Sequence, residues 1–287
     1  MAAVLVPPAS WKALHDRARQ RLAAAGIRES AREAYLIVAA GGGPEPLRLI
    51  ARAAEAPPPA ITAGVLELAE RRARHEPMAY ILGCREFYGR SFRVGPGALV
   101  PRPETELLVE KILADHARAP FRFGLDLCAG TGCVAITLAA TARIELAMLD
   151  KSQAALAYAR LNSQALLKQE LAFHTCDLLE DPLPEPRYDL LVMNPPYLSA
   201  AELAAAPELG AEPREALLGG ERTGLEFTAK VLERLYPWAA PGTRFYIELG
   251  WRHREWLGDR SHWNGWRLRG WIPDLAGIAR VLVLYRE

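Results

Sequence analysis

The chain is 287 residues long, 51% hydrophobic and 24% charged, which excludes wholesale disorder and suits a domain of ordinary size with a smaller companion. Lys plus Arg number 35 against 34 Asp plus Glu, so the basic surplus of a protein that neutralises many phosphates is missing and nucleic acid is not the expected partner. No stretch reaches the roughly 18 apolar residues of a membrane span, and Met1 to Ser10 lacks the charged-then-apolar pattern of a signal peptide, so a cytoplasmic protein without a membrane partner is expected.

From Trp11 to about Leu82 the sequence is rich in Ala, Leu, Arg and Glu, broken at Gly26, at Gly41-Gly42-Gly43-Pro44 and at Pro57, Pro58 and Pro59. This punctuation predicts three or four helices packed as a bundle over residues 1–82. Between Ile61 and Arg74, apolar Val65, Leu66 and Leu68 alternate with Glu67, Glu70, Arg71, Arg72 and Arg74, and the arginines are read as the solvated face of an amphipathic helix. Residues 83–100 change character: Phe87, Tyr88, Phe92 and Val94 flank the turn signal Gly89-Arg90, which predicts a β-hairpin linker. Pro101 to Glu106 then leads into Leu107, Leu108, Val109, Ile112 and Leu113, a proline-led, acidic helix start near Glu104.

Beyond it, over residues 101–287, short apolar runs recur at Phe123 to Cys128, Ile144 to Leu149, Leu171 to Thr175, Tyr188 to Met193 and Thr243 to Leu249, with helical or loop segments between them. Strands alternating with helices predict an α/β, doubly wound, mostly parallel sheet covered on both faces, finished by Trp266 to Trp271 and Ala279 to Tyr285. The late tryptophans Trp251, Trp256, Trp263, Trp266 and Trp271 are read mainly as core and cover for that sheet. Cys84, Cys128, Cys133 and Cys176 have neither paired nor metal-ligand spacing and the six histidines, His15, His75, His116, His174, His253 and His262, are scattered, so reduced thiols and no metal are expected.

Two segments carry chemistry. Cys128-Ala129-Gly130-Thr131-Gly132 follows a strand and opens a helix, the geometry in which glycine lets a ligand approach the backbone closely. Asp150, 18 residues after Gly132 at the end of the next strand, is placed to accept hydrogen bonds from ribose hydroxyls. Together they predict a nucleoside, and Gly130-x-Gly132-x-x-Ala135 alone fits a dehydrogenase nearly as well. Asp126, just before the turn, resembles the first motif of class I methyltransferases, and Asp177 sits where that fold places an adenine contact.

The second segment is Asn194-Pro195-Pro196-Tyr197, which stops an apolar strand on two prolines that restrict the backbone and donate no hydrogen bond. Strand ends in open α/β sheets face one crevice, so this turn and the glycine loop should meet. An amide nitrogen, whose lone pair is conjugated, is a poor nucleophile. If the Asn194 side-chain oxygen and the Pro195 carbonyl accept its two N–H bonds, the NH2 is held with its lone pair toward an electrophilic methyl, with Tyr197 as an aromatic wall.

The sequence resembles the glutamine-N5 methyltransferases that act on peptide chain release factors. The likeness rests on His75 to Gly83 with Arg85 to Gly89, on Leu99 to Glu106, on Asn194 to Tyr197, on Glu212 to Leu217 with Gly219, Gly220 and Gly224, and on Asp274 to Arg280. It implies a class I methyltransferase-type seven-stranded domain that holds S-adenosylmethionine, released as S-adenosylhomocysteine, and a helical domain that grips the protein substrate. Class I release factors are the implied partner, methylated on the glutamine of a Gly-Gly-Gln motif, and a monomer is the default state. Carried over, the cofactor residues are Cys128, Ala129, Gly130, Thr131, Gly132, Asp150, Asp177, Leu178 and Asn194; Asn194, Pro195, Pro196 and Tyr197 bind the glutamine, with Asn194, Pro195 and Tyr197 catalytic. One departure stands out: the family commonly has Gly and Thr where this chain has Cys128 and Ala129, so Cys128 must tolerate a glycine's backbone angle. Alternatives are a sister family that methylates a large-subunit ribosomal protein, DNA adenine-N6 methyltransferases with the same turn, and a non-catalytic nucleoside-binding adaptor.

Overall fold

The computed structural model describes residues 8–167, 171–258 and 262–287, apart from the side chain of His262. Most of the Met1 to Ser10 segment therefore lies outside the described residues. The chain divides into two compact units, Met1–Gly83 and Cys84–Glu287.

In the first unit, helices α1 (Trp11–Ala24), α2 (Ser30–Ala40), α3 (Pro46–Ala51), α4 (Pro59–Ala73) and α5 (Met78–Leu82) follow the glycine and proline punctuation. Prolines open α3 and α4, where a missing N–H costs nothing. Leu14, Leu22, Ile37, Val38 and Val65 form a dry core from the apolar stripes of α1, α2 and α4. The arginines of α4 are not merely a solvated face. Arg72 clamps Glu33 of α2 through Nε at 2.7 Å, and Glu70 accepts two bonds from Arg21 of α1, so charge pairs tie the helices together around that core.

The second unit opens with strands β1 (Cys84–Phe87) and β2 (Arg90–Arg93), an antiparallel hairpin turning at Tyr88 and Gly89, both at positive φ. The hairpin predicted as a linker is built into this unit: Phe87 and Phe92 join the same core as Leu156 and Ala159, and Asn162 bonds both backbone groups of Arg93. Next come α6 (Glu106–Arg118), β3 (Phe123–Leu127), α7 (Cys133–Thr141), β4 (Glu145–Asp150), α8 (Gln153–Leu166), β5 (Ala172–Thr175) and β6 (Leu190–Met193). They are followed by β7 (Leu198–Ser199), α9 (Ala200–Ala204), β8 (Leu218–Gly220), α10 (Glu226–Trp238), β9 (Arg244–Glu248), α11 (His253–Leu257), β10 (His262–Trp263), β11 (Trp266–Pro273) and β12 (Ala279–Tyr285).

The sheet runs β11-β12-β9-β6-β3-β4-β5, seven strands with the two-residue β10 added at one edge. Strands β5, β4, β3, β6 and β9 are mutually parallel, while β12 returns antiparallel between β9 and β11. The period of two explains the two cores. Leu190 and Val192 of β6 face α6, α7 and α8, whereas Leu191 and Met193 face α10, so every residue of the strand is buried. Among the described residues no helix is long and apolar enough to cross a membrane.

Candidate active site

Chain order reverses beside β3, which pairs with β4 on one side and β6 on the other. Such a reversal opens a crevice beyond the carboxyl ends of the strands, because the following segments leave in opposite directions. A cavity of about 450 Å³ lies there, lined by the glycine loop after β3, Asp150 at the end of β4, Asp177 and Leu178 after β5, and Asn194 after β6. Leu99 to Arg102 and Pro213 to Ala216 complete its wall. The volume falls in the usual range for small-molecule and cofactor sites.

The glycine loop owes its shape to three residues with left-handed backbone, Cys128 (φ 58), Gly130 (φ 57) and Gly132 (φ 76). At Gly132, which caps α7, a Cβ would stand 2.8 Å from Met148 Sδ, so the loop can close on the sheet only with glycine. At Gly130 a Cβ would meet no protein atom within 4 Å and would instead take up ligand space. Asp150 holds this loop: its Oδ2 accepts from Gly130 N and its Oδ1 from Ser152 N, each at 2.8 Å. Each oxygen keeps a second lone pair for a hydroxyl donor. Burial raises the Asp150 pKa, and the two backbone bonds work against that rise. Asp126 is more extreme. Buried at 2% exposure with one bond from Ala135 N, it is pushed up to about 8, chiefly by loss of water and further by the nearby Asp150 charge.

Cys128 is the residue with a Cβ where the backbone favours none. Left-handed backbone costs an ordinary residue about 1–2 kcal/mol, and glycine's extra chain entropy returns roughly 0.5–1 kcal/mol of that. Cys128→Gly is therefore expected to stabilise the protein by up to about 1 kcal/mol, seen as a higher denaturant midpoint at unchanged slope. An unmoved or lower midpoint would show that packing of the thiol, which is shared with the Leu127 and Leu149 core, offsets the strain.

Across the cavity, the double proline ends β6 and leaves Asn194 half-buried on the lining, with Pro195 and Pro196 buried and Pro196 also on the lining. Asn194 Nδ2 donates to Thr105 Oγ1 at 3.0 Å, and its Oδ1 is buried without a partner. A buried acceptor left unpaired costs about 1–3 kcal/mol, which an incoming N–H donor recovers. Glu248, the last residue of β9, is 1% exposed, and burial raises it to about 7. The Pro101 to Glu106 segment is strapped in place by Glu212, whose carboxylate accepts from Val100 N at 2.9 Å and Arg102 Nη2 at 2.6 Å.

Of the residues singled out in the sequence, Cys128, Ala129, Gly130, Thr131, Asp150, Asp177, Leu178, Asn194 and Pro196 meet at this cavity. Gly132, Pro195 and Tyr197 do not line it. Gly132 has already turned into α7. Tyr197 is carried away as the chain enters β7, and its ring packs edge-on against His253 at 6.2 Å rather than forming a wall of the cavity. Trp251 and Trp256, expected as cover for the sheet, are 57% and 41% exposed, whereas Trp266 is fully buried. Glu248 was not singled out in the sequence, and Thr105 and Glu212 entered only within the segments that carry the resemblance, with no role of their own. The signal for Glu248 was a carboxylate inside the apolar run Thr243 to Leu249, because a charge in a strand buried on both faces needs a reason.

Residues 103–221 match the family model of the methyltransferase small domain, and residues 13–83 that of the PrmC N-terminal domain. The chain is 39% identical over 269 residues to the release factor glutamine methyltransferase of Cereibacter sphaeroides, covering 92% of this chain and 90% of that one. It is 36% identical over 225 residues to the enzyme of the same name from Koribacter versatilis, covering 76% and 77%. Among solved structures, a methyltransferase from Pyrococcus furiosus aligns with a TM-score of 0.51 at 17% identity over 70% of this chain and 90% of that one, a likeness of fold.

Proposed function

The chain belongs to the release factor glutamine methyltransferases, and we propose that it transfers a methyl group from S-adenosylmethionine to the side-chain amide nitrogen, N5, of the Gly-Gly-Gln glutamine in class I peptide chain release factors. The observation that carries this reading is Asn194, fixed at the end of β6 beside the cavity with a buried, unpartnered oxygen.

The donor set fits the cofactor. Asp150 has lone pairs for ribose hydroxyls, Gly130 leaves room for close approach, and Leu178, with Asp177, offers an apolar contact for an adenine. Bound there, S-adenosylmethionine supplies an electrophilic methyl group. The chain's own work is on the amide. Asn194 Oδ1 accepts one N–H of the glutamine NH2. The Pro195 carbonyl, between two lining residues, accepts the other. Two acceptors turn the nitrogen's out-of-plane lone pair toward the methyl and raise its electron density. Holding two reactants in line is worth up to about 7–11 kcal/mol of barrier, so no strong base is required before transfer. Tyr197, which packs edge-on against His253 away from the cavity, stiffens the turn. The helices of residues 13–83 engage the protein substrate, and the enzyme works as a cytoplasmic monomer.

Purified protein should move labelled methyl from S-adenosylmethionine to a release factor and not to its Gln-substituted variant. Label on a large-subunit ribosomal protein or on duplex DNA in place of the release factor would overturn the substrate. Asn194 could present its oxygen to any conjugated NH2, so the assay must contain all three.

A further inference from the structure

We propose that Glu212, which does not itself line the cavity, is a positioning residue for the cofactor: it clasps together the two loop segments that form the cavity's outer wall and so sets how long S-adenosylmethionine stays bound. The inference rests on the proposed function for the identity of the cofactor and deepens it.

The two sides of the cavity are built differently. On the inner side lie Asp126, Thr131 and Leu149, each at most 2% exposed and carried by β3, the glycine loop and β4. The outer side is Leu99 to Arg102 and Pro213 to Ala216, among which Arg214 and Glu215 are exposed, so these segments stand between the cofactor space and water. Neither segment is part of a strand. No ladder of backbone bonds fixes them, and their position depends on side chains.

Glu212 does that fixing. It opens the second segment, is 7% exposed, and reaches across to the first with both carboxylate oxygens: Oε2 accepts from Val100 N at 2.9 Å and Oε1 from Arg102 Nη2 at 2.6 Å. Val100 is also buried and lies outside any strand or helix, so its N–H depends on this acceptor. A buried carboxylate is tolerated only where donors replace its lost water. Here the donors lie 112 and 110 positions away in the chain, on the facing segment. Parting the two segments therefore strands the carboxylate and the Val100 N–H together. The first segment has a second mooring, Ser152 Oγ donating to Gly97 O at 3.4 Å, but that bond runs to the start of α8 and leaves the facing wall untouched. While the clasp holds, the wall confines the cofactor; release requires it to part.

Two measurements decide the proposal, and neither needs a release factor. The first is the rate of cofactor release, followed by chasing labelled S-adenosylmethionine with unlabelled cofactor, beside calorimetric Kd and stoichiometry. Glu212→Gln keeps its shape and one acceptor for Val100 N but sets an NH2 against Arg102. Its koff should rise at least about tenfold, the effect of losing one hydrogen bond between charged groups, at unchanged stoichiometry. A merely unfolded fraction would lower the stoichiometry and leave koff alone. Arg102 lines the cavity and could act on the cofactor directly, so the double variant separates the two roles. Arg102→Met should release as fast as Glu212→Gln and the pair no faster than either, because one contact is lost in all three. Arg102→Lys, which keeps a charged donor, should stay within about threefold of wild type. The second measurement is hydrogen exchange of the Val100 amide in the wild type, which should slow at least about tenfold in saturating S-adenosylmethionine. Wild-type koff in Glu212→Gln, multiplied rather than shared effects in the double variant, or Val100 exchange indifferent to cofactor would overturn the clasp. Failure of the wild type to methylate a release factor would instead remove the substrate assignment, and the release rates would still decide the clasp.

Discussion

Replacing Asn194 with alanine is expected to lower kcat by about a hundredfold to a thousandfold, the scale on which removing one fixed polar group from a reacting centre is felt. The variant loses both the bond to Thr105 and the acceptor that holds the substrate nitrogen. The fold should survive, since one hydrogen bond is worth about 1 kcal/mol and the substitution removes the unpaired oxygen as well. Cofactor affinity should be nearly unchanged, because the Asp150 tether and the glycine loop stand on β3 and β4 and the bond that Asn194 loses is made to Thr105, not to them. Single-turnover rates and calorimetric titration of S-adenosylmethionine on the same preparation separate the two effects. Near-normal turnover would defeat the proposed mechanism, and an equal loss of cofactor binding would make Asn194 a cofactor residue first.

Asp150→Ala should act in the opposite sense, on the cofactor. The carboxylate ties Gly130 N and Ser152 N at 2.8 Å each and keeps lone pairs for a ribose. Its removal frees the loop and takes away charge-assisted acceptors, a combined loss of roughly 1–3 kcal/mol, or about 5- to 150-fold in Kd. Asp150→Asn, able to accept through one oxygen only, should fall between the two. Calorimetry with S-adenosylmethionine checks this directly. An unchanged Kd in Asp150→Ala would mean that the carboxylate only braces the loop.

Much of the fold was legible because each local signal had one physical solution. The run Leu190 to Met193 has no polar residue, and a strand of that length with both faces apolar can only be buried between two layers, where it lies. Gly130 and Gly132 marked a turn that needs positive φ, and both have it. The same strictness placed Cys128 at φ 58, because its position in the loop, not its own preference, dictates the angle. Other readings were weaker. Arg71, Arg72 and Arg74 look alike on a helical wheel, and nothing local says that Glu33 of another helix waits for Arg72. Trp251 and Trp256 carry as much apolar surface as Trp266, yet they fall between β9 and β10, in and beside α11, and stay exposed.

The sequence by itself determined the fold class, the glycine loop, the carboxylate at the end of the second strand of the domain, and the stiff Asn-Pro-Pro-Tyr turn. All of these depend on residues within a few positions of one another and on the rule that strand ends share a crevice. Only the tertiary structure decided which of those residues reach the cavity and which way Asn194 is turned. Tyr197 leaves the cavity because β7 must pair with β8, and the orientation of Asn194 depends on Thr105, 89 positions earlier in the chain. Hydrogen-bond polarity passes through space from one buried group to the next, and no spacing along the chain records it.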